Sequence, residues 1–364
     1  MKPSFVWIRF VFVLAVFALC TSCSGNQTEI LHPDGTLTSE QPSGPLETDL
    51  QQTPIDPLPP VLLPEDADGK FTIAVIPDTQ QEVVASHAIR NQYFRGRVQW
   101  LYDSRKQLDL RCVLHTGDVV NWGNEDPSQF VTASDAMAPL DGSGIPVLYA
   151  IGNHDTAAVK VGGSAADPSN TRARQRDTTR FNEYFPLSRY EGLTPFEEGK
   201  IDNVYQTFFA AGANFLVLSV ELWPRTEVME WAASVIEEHP NHNVIVITHS
   251  FLTADGQIFQ KVEYGHNSPQ TLFDKVISEY PNVRLVFSGH TGQANYRIEK
   301  GKSGNRIACF VGAFHSNDSN PVQLLEVDTA ADTVHIRTYV PLRDETWGAY
   351  SALVEDMNFL MAEE

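Results

Sequence analysis

The sequence predicts an α/β domain built from strand-helix-strand crossover units, and three observations carry that prediction. Five short apolar runs lack alternation, as strands buried on both faces do. They are Ile73-Ala74-Val75-Ile76, Val113-Leu114, Val147-Leu148-Tyr149-Ala150-Ile151, Val244-Ile245-Val246-Ile247 and Val283-Arg284-Leu285-Val286-Phe287. Segments with apolar residues at helical spacing separate the first three, which is the signature of parallel crossovers. After His290, four segments alternate strongly and read as antiparallel strands.

The elements follow in order. A strand from Phe71 to Pro77 ends at Asp78-Thr79-Gln80, and His87 to Arg105 carries Ile89, Tyr93, Val98, Trp100 and Leu101 at helical spacing. The second strand runs into Gly117-Asp118, a helix is expected around Pro127 to Met137, and the third strand runs into Gly152-Asn153-His154-Asp155. Tyr205 to Ala210 and Asn214 to Val220, joined through Ala211-Gly212-Ala213, form a hairpin pattern. Thr226 to His239 is helical, with Met229, Trp231, Ala232, Val235 and Ile236 as the buried stripe. The fourth strand ends at His249, a helix follows near Pro269 to Glu279, and the fifth strand ends at Gly289-His290. Asn295 to Glu299, Arg306 to Val311, Val322 to Val327 and Thr333 to Val340 are the alternating strands.

Composition sets limits. The chain has 364 residues, a hydrophobic fraction of 42% and a formal charge of -20. That is ample for a core, and it excludes a nucleic-acid surface, which needs concentrated Lys and Arg. Met1 to Ser22 reads as an export signal, with Lys2 and Arg9 ahead of an apolar core from Phe10 to Leu19 that is short for a membrane span. Leu19-Cys20-Thr21-Ser22-Cys23 resembles a bacterial lipobox, although Cys20 departs from the usual small residue. The resemblance implies a lipid on Cys23, a membrane partner through it, and an exported protein anchored in the bacterial cell envelope, at the outer membrane or surface. Residues 23–69, rich in Thr, Pro, Ser, Gln and acids, are expected to be a flexible tether. The folded domain is expected at 70–341, with a C-terminal tail at 342–364. Cys112 and Cys309 lie inside apolar runs and read as small buried hydrophobes.

Between Thr156 and Lys200 the pattern fails, and a loop insertion with Arg172, Arg174 and Arg176 follows directly on a strand end. Long loops in compact domains are usually lids or binding loops. The arginines suit either a clamp on an anionic substrate or, more simply, a solvated face balancing an acidic surface. Phe181, Tyr184, Phe185 and Tyr190 in the same stretch raise a weaker alternative, a hydrolase acting on a non-phosphate or polymer substrate.

The strand ends carry the chemistry. Ligands collect beyond the carboxyl ends of strands in layered α/β domains, and here five strands deliver Asp78, Asp118, Asn153-His154, His249 and His290 to one edge. Two divalent ions about 3.5 to 4 Å apart generate a hydroxide nucleophile and stabilise both oxygens of a displacement at phosphorus. Asp118 suits the bridge, Asp78 one side, and Asn153, His249 and His290 the other. His154 suits the acid or transition-state donor, with Asp155 as the group that sets its tautomer. Taken singly, His249 or His290 would read as a core histidine and Asp118 as a helix cap.

Gly117-Asp118, Gly152-Asn153-His154-Asp155, the strand-terminal His249 and Gly289-His290, in this order after an Asp-terminated first strand, resemble the calcineurin-like metallophosphoesterases over roughly Phe71 to Tyr339. The resemblance implies a four-layer α/β/β/α sandwich and hydrolysis of phosphate mono- or diesters with two divalent ions of Mn, Fe, Zn, Mg or Ca type. Catalytic roles then fall to His154 and Asp155, and metal ligation to Asp78, Gln80, Asp118, Asn153, His249 and His290. A phosphate ester substrate is implied, and no protein partner.

Two departures stand out. The family usually has Asp-x-His where this chain has Asp78-Thr79-Gln80, and Gly-His-x-His where it has Gly289-His290-Thr291-Gly292. The Asp-Thr-Gln opening also resembles a surface-associated branch of the family. Both missing imidazoles would serve the Asp78 side, leaving an oxygen-rich and weaker site suited to harder ions. His315 is either a substitute ligand or, as the plainer reading, an ordinary loop histidine. The alternative function is accordingly a catalytically degenerate metal-binding surface protein that binds a ligand or polymer.

Overall fold

A computed structural model of the chain describes residues 30–31, 37–38, 69–315 and 319–362. Contacts divide it into two units, 1–54 and 55–364. In the first, Ile30–Leu31 and Leu37–Thr38 pair antiparallel. The expected signal and most of the expected tether lie outside the described residues.

The second unit holds the domain. Its first sheet begins with β1 (Lys70–Ile76), β2 (Leu110–His115) and β3 (Val147–Tyr149), which run parallel. Between them lie α1 (Ala88–Ser104) and α2 (Ser128–Met137). The insertion contains two short helices, α3 (Thr171–Arg174) and α4 (Thr179–Tyr184), and ends in β4 (Thr194–Pro195). The hairpin β5 (Val204–Ala210) and β6 (Ala213–Ser219) follows, then α5 (Thr226–Glu238) and β7 (Asn243–Ile247). The helix expected over 269–279 is shorter: α6 (Pro269–Leu272) passes into a π turn at Phe273–Ile277, ahead of the helix-breaking Pro281. Then come β8 (Val283–Ser288), β9 (Ala294–Lys300), β10 (Arg306–Gly312), β11 (Val322–Asp328) and β12 (Thr333–Val340).

Among the described residues of this unit the strands form two sheets. One has the order β9-β10-β8-β7-β6-β5-β4. The other runs β12-β11-β1-β2-β3, with β11 antiparallel to both neighbours. β10 was expected only as an antiparallel strand; it is antiparallel to β9 but parallel to β8. Residues 342–364, expected as a separate tail, contribute β13 (Glu345–Thr346) and β14 (Ala352–Val354), both paired with β12.

The sheets face each other. Phe71 of β1 packs edge-on against Phe208 and Phe215 of the opposite sheet, with ring centroids at 5.9 and 4.9 Å. Ile73 joins Val217, Ile245, Leu285 and Phe287 in the same core. Phe94, Val98 and Leu101 of α1 and Phe130 and Ala133 of α2 pack with the strands of the sheet that contains β1, β2 and β3. On the other side, α5 buries Val228, Met229, Ala232, Val235 and Ile236 with Leu216, Leu218, Val244 and Val246. Alternate residues of β6 and β7 thus serve two different cores, which is why these runs are apolar throughout. The layers are helix, sheet, sheet, helix. Cys112 and Cys309 are buried free thiols.

Candidate metal centre

The five strand ends come from the two sheets: β1, β2 and β3 carry Asp78, Asp118 and Asn153-His154, and β7 and β8 carry His249 and His290. At this edge the sheets are tied by Ser219, whose hydroxyl donates to the Tyr149 carbonyl at 2.5 Å.

Asp118 is the hub. Its Oδ1 accepts from the His154 backbone N–H at 3.0 Å and lies 3.2 Å from His249 Nε2, while Oδ2 accepts from Gln80 Nε2 at 3.1 Å. One ligand atom each from Asp118, His249 and His290 lie within 4.8 Å of one another, and the same holds for Asp78, Asp118 and His315. Asp78 Oδ2 accepts from the His290 N–H at 3.0 Å. The approach is close enough to exclude side chains behind it. A Cβ on Gly152 would lie 2.1 Å from Asp118 Oδ1, and one on Gly289 would lie 2.0 Å from Asp78 Oδ1. Asp118 (φ 49°) and His290 (φ 69°) both occupy the left-handed region, a strain that clusters at functional sites.

Hydrogen bonds outside the cluster fix which atoms face it. His249 Nδ1 lies 2.8 Å from the Thr116 carbonyl, which accepts its proton and leaves Nε2 toward Asp118. His154 Nδ1 donates to the Asn121 carbonyl at 2.5 Å. Asp155 was expected to set that tautomer, but its oxygens accept instead from the N–H groups of Val120, at 3.0 Å, and Gly152, at 2.9 Å. Asp155 therefore braces the Asp118 and Asn153 turns.

The Asp118 and Asp78 carboxylates dominate the electrostatics around His249. Burial opposes protonation of His249, yet Asp118 and Asp78 outweigh it and raise the imidazole to about 10. Burial would raise the Asp118 carboxyl, but His249, His154 and His290 hold it well below the usual carboxylate range. Burial and the Asp118 charge push Asp155 up to about 8. Burial and the nearby His249 lower His290 to about 3. Asn153 Oδ1 and Gln80 Oε1 are buried without a hydrogen-bond partner. Orphaned buried acceptors are expensive, and a cation ligated by oxygen and imidazole satisfies them. The donor set fits divalent metal.

A groove of about 530 Å³ opens from Asn153, lined by Ala158, Val159 and Arg172 of the insertion and by Tyr264. Arg174 and Arg176 are neither clamp nor solvated face. Arg174 Nε donates to the Ala157 carbonyl, and Arg176 pairs with Glu221 at 3.2 Å and donates to the Leu222 and Trp223 carbonyls. They fasten the insertion to the domain. Phe181 and Phe185 are fully buried, and Tyr184 and Tyr190 pack half-buried against the same core, the Tyr190 hydroxyl donating to that of Tyr149, so these aromatics serve packing.

Sequence reasoning missed His115. Its Nδ1 accepts from the Gly117 N–H at 3.2 Å, so Nε2–H donates to Thr79 Oγ1 at 3.1 Å, which donates to the Val119 carbonyl at 3.0 Å. The relay joins the Asp78 turn to the Asp118 turn. Its signal was present in the apolar run itself, where His115 is the one polar side chain before Thr116.

The family model for calcineurin-like phosphoesterases matches residues 71–294, more than half of the chain. The chain belongs to the calcineurin-like phosphoesterase family. The class of the domain is that of a metal-dependent phosphoric ester hydrolase. Among relatives, an uncharacterized Bacillus subtilis (strain 168) protein, YvnB, is 26% identical over 299 residues, covering 79% of this chain. The chain spans only 20% of that relative's length. A purple acid phosphatase from yellow lupin aligns with a TM-score of 0.50 at 12% identity, over 79% of this chain and 55% of its own, and shows the same fold. A dimetal phosphatase from Danio rerio aligns at 0.45 and 14% identity, over 76% of this chain and 98% of its own.

Proposed function

We propose that this phosphoesterase hydrolyses phosphate mono- or diesters with two divalent ions. Asp78, Gln80 and the shared Asp118 would hold one, and Asp118, Asn153, His249 and His290 the other. Ions bound there supply Lewis acidity to the phosphoryl oxygens and make water nucleophilic near neutral pH. The observation that carries the reading is Asp118, whose carboxylate belongs to both ligand clusters.

The protein's own groups do the rest. With Nδ1 committed to the Asn121 carbonyl, His154 exchanges protons through Nε2 and protonates the departing ester oxygen. Its backbone N–H holds Asp118 Oδ1, so proton donor and bridging carboxylate move as one unit. Asp155 acts by fixing the turns on either side. The groove beyond Asn153 receives the organic group of the ester, between the apolar insertion wall of Ala158 and Val159 and the polar tips of Arg172 and Tyr264.

The leader, the Cys23 lipid site and the Pro- and Ser-rich tether support an exported protein anchored in the cell envelope, with its catalytic domain held away from the membrane. Among the described residues no helix is long and apolar enough to cross a membrane. Replacing Cys23 by Ser should move the protein from the membrane to the soluble fraction; retention would remove the anchor.

The test of the activity is elemental analysis of the full chain paired with Mn-dependent hydrolysis of aryl phosphate mono- and diesters. Two ions per chain with turnover is the expected result. A chain that holds its ions but turns over neither ester, with Mn, Fe or Zn in excess, would instead be the metal-binding surface protein.

A further inference from the structure

Gln80 and Gly292 leave the Asp78 side of the centre without the imidazoles that the family motifs usually place there. The fold supplies an imidazole from a segment beyond the residues matched by the family model. After β10 the chain lies back across residues 292 and 293: the Ala313 N–H donates to the Gln293 carbonyl at 3.0 Å and the Phe314 N–H to that of Gly292 at 3.3 Å. This brings His315 to the cluster, with Nε2 2.7 Å from Asp78 Oδ2. Position 292 itself is crowded, because a Cβ there would meet Ala254 Cβ at 3.0 Å and Cα at 3.1 Å.

The segment is held in an uncommon conformation. Phe314 has φ 57°, a value that bulky side chains adopt only where the surroundings enforce it. Its ring is buried between Trp347 and Tyr350, with centroids at 5.9 and 5.5 Å. Those two rings lie 6.2 Å apart in the chain that follows β12, and the Trp347 N–H donates to the Thr338 carbonyl at 2.8 Å. The C-terminal residues thus form an aromatic clamp on the residue next to His315.

We propose that His315 is the nitrogen ligand of the second metal position, alongside Asp78, Gln80 and Asp118, and that Phe314, Trp347 and Tyr350 hold it there. The proposal rests on the reading of Asp78 and Asp118 as metal ligands. It makes the oxygen-rich side a complete site by relocation of one ligand, from position 292 to position 315. A plain ion pair between His315 and Asp78 is the competing account.

The test is Mn²⁺ binding to the full chain by titration calorimetry and elemental analysis, with electron paramagnetic resonance to report whether two Mn²⁺ ions are coupled. Wild type should bind two, with the coupled signal. His315→Ala should keep the tighter ion, lose the other by about 100-fold or more in affinity, and show an isolated Mn²⁺ signal; His315→Asp, which restores a ligand, should recover the second ion. Trp347→Ala, which touches no ligand, should weaken the second ion by about 10- to 100-fold, as loss of outer support does elsewhere. Circular dichroism checks that each variant is folded. Two ions of wild-type affinity in His315→Ala would overturn the proposal while leaving the dinuclear centre intact. No bound ion in wild type would overturn the centre and the proposal together.

Discussion

Gly152 and Asp118 sit on the ends of neighbouring parallel strands, so close that a Cβ on the glycine would lie 2.1 Å from the carboxylate Oδ1. The absent side chain is therefore what leaves room for the Asp118 carboxylate. Gly152→Ala must displace Asp118, and with it the bond from the His154 N–H. We expect metal affinity to fall by about 10- to 100-fold and stability by about 1–3 kcal/mol from overpacking. Titration calorimetry and thermal unfolding measure the two losses, and unchanged affinity would mean that the carboxylate has slack.

His154 contributes a backbone donor and a ring, and the two separate cleanly. His154→Ala keeps the N–H that holds Asp118 and removes the imidazole. Turnover of an aryl ester should drop by about 10²- to 10⁴-fold, the range for loss of a general acid, with two ions still bound. Undiminished turnover would end the proton-transfer role.

The contrast between what was and was not legible in the sequence follows from the same geometry. Asp78, Asp118, Asn153, His249 and His290 could be read because each ends a run buried on both faces, where a polar side chain stands out. Which of the two sheets each strand joins could not, since a continuous apolar run does not reveal its neighbours. Asn121 holds His154 through a carbonyl, which any residue would provide, so no side-chain pattern marks it. Arg176 looked like part of an exposed basic run because its partner, Glu221, lies on a distant strand end. His315 looked ordinary for a related reason: only the fold of β10 back toward Gly292 brings it to Asp78.

The Arg176–Glu221–Arg225 cluster makes a pH prediction remote from the metal ligands. Glu221 Oε1 lies 3.2 Å from Arg176 Nη1 and 3.0 Å from Arg225 Nε. Burial raises the Glu221 carboxyl, but Arg176 and Arg225 outweigh it and the net shift is downward. A carboxylate lowered by folding contributes stability that is fully present above its ordinary value, about 4.3, and is lost as pH falls through the lowered folded value. Glu221→Gln should therefore cost about 1–3 kcal/mol at pH 7, since it takes the carboxylate from Arg176 and leaves Arg225 only its pairs with Glu197 and Glu227. The gap between wild type and variant should narrow below pH 4. A gap that stayed constant with pH would mean the loss is steric.

Metal removal tests the centre through the fold itself. Asn153 Oδ1 and Gln80 Oε1 are buried without partners beside the buried carboxylates of Asp78 and Asp118, and a bound cation would satisfy both. A ligand bound to the folded state alone adds RT ln(1 + [L]/Kd), about 2.7 kcal/mol at a hundredfold excess over Kd. Saturating Mn²⁺ should therefore raise the unfolding temperature of a chelator-stripped chain, and the rise should grow with the logarithm of metal concentration. Replacing His249 by Ala should remove most of that rise, because the ring lies 3.2 Å from Asp118 and is itself fixed by the Thr116 carbonyl. Calorimetry across a metal series checks both slopes. A melting temperature indifferent to Mn²⁺ in wild type would mean that the buried carboxylates are stabilised by His249 and His315 alone, and that the cluster is an ion-pair network rather than a metal centre.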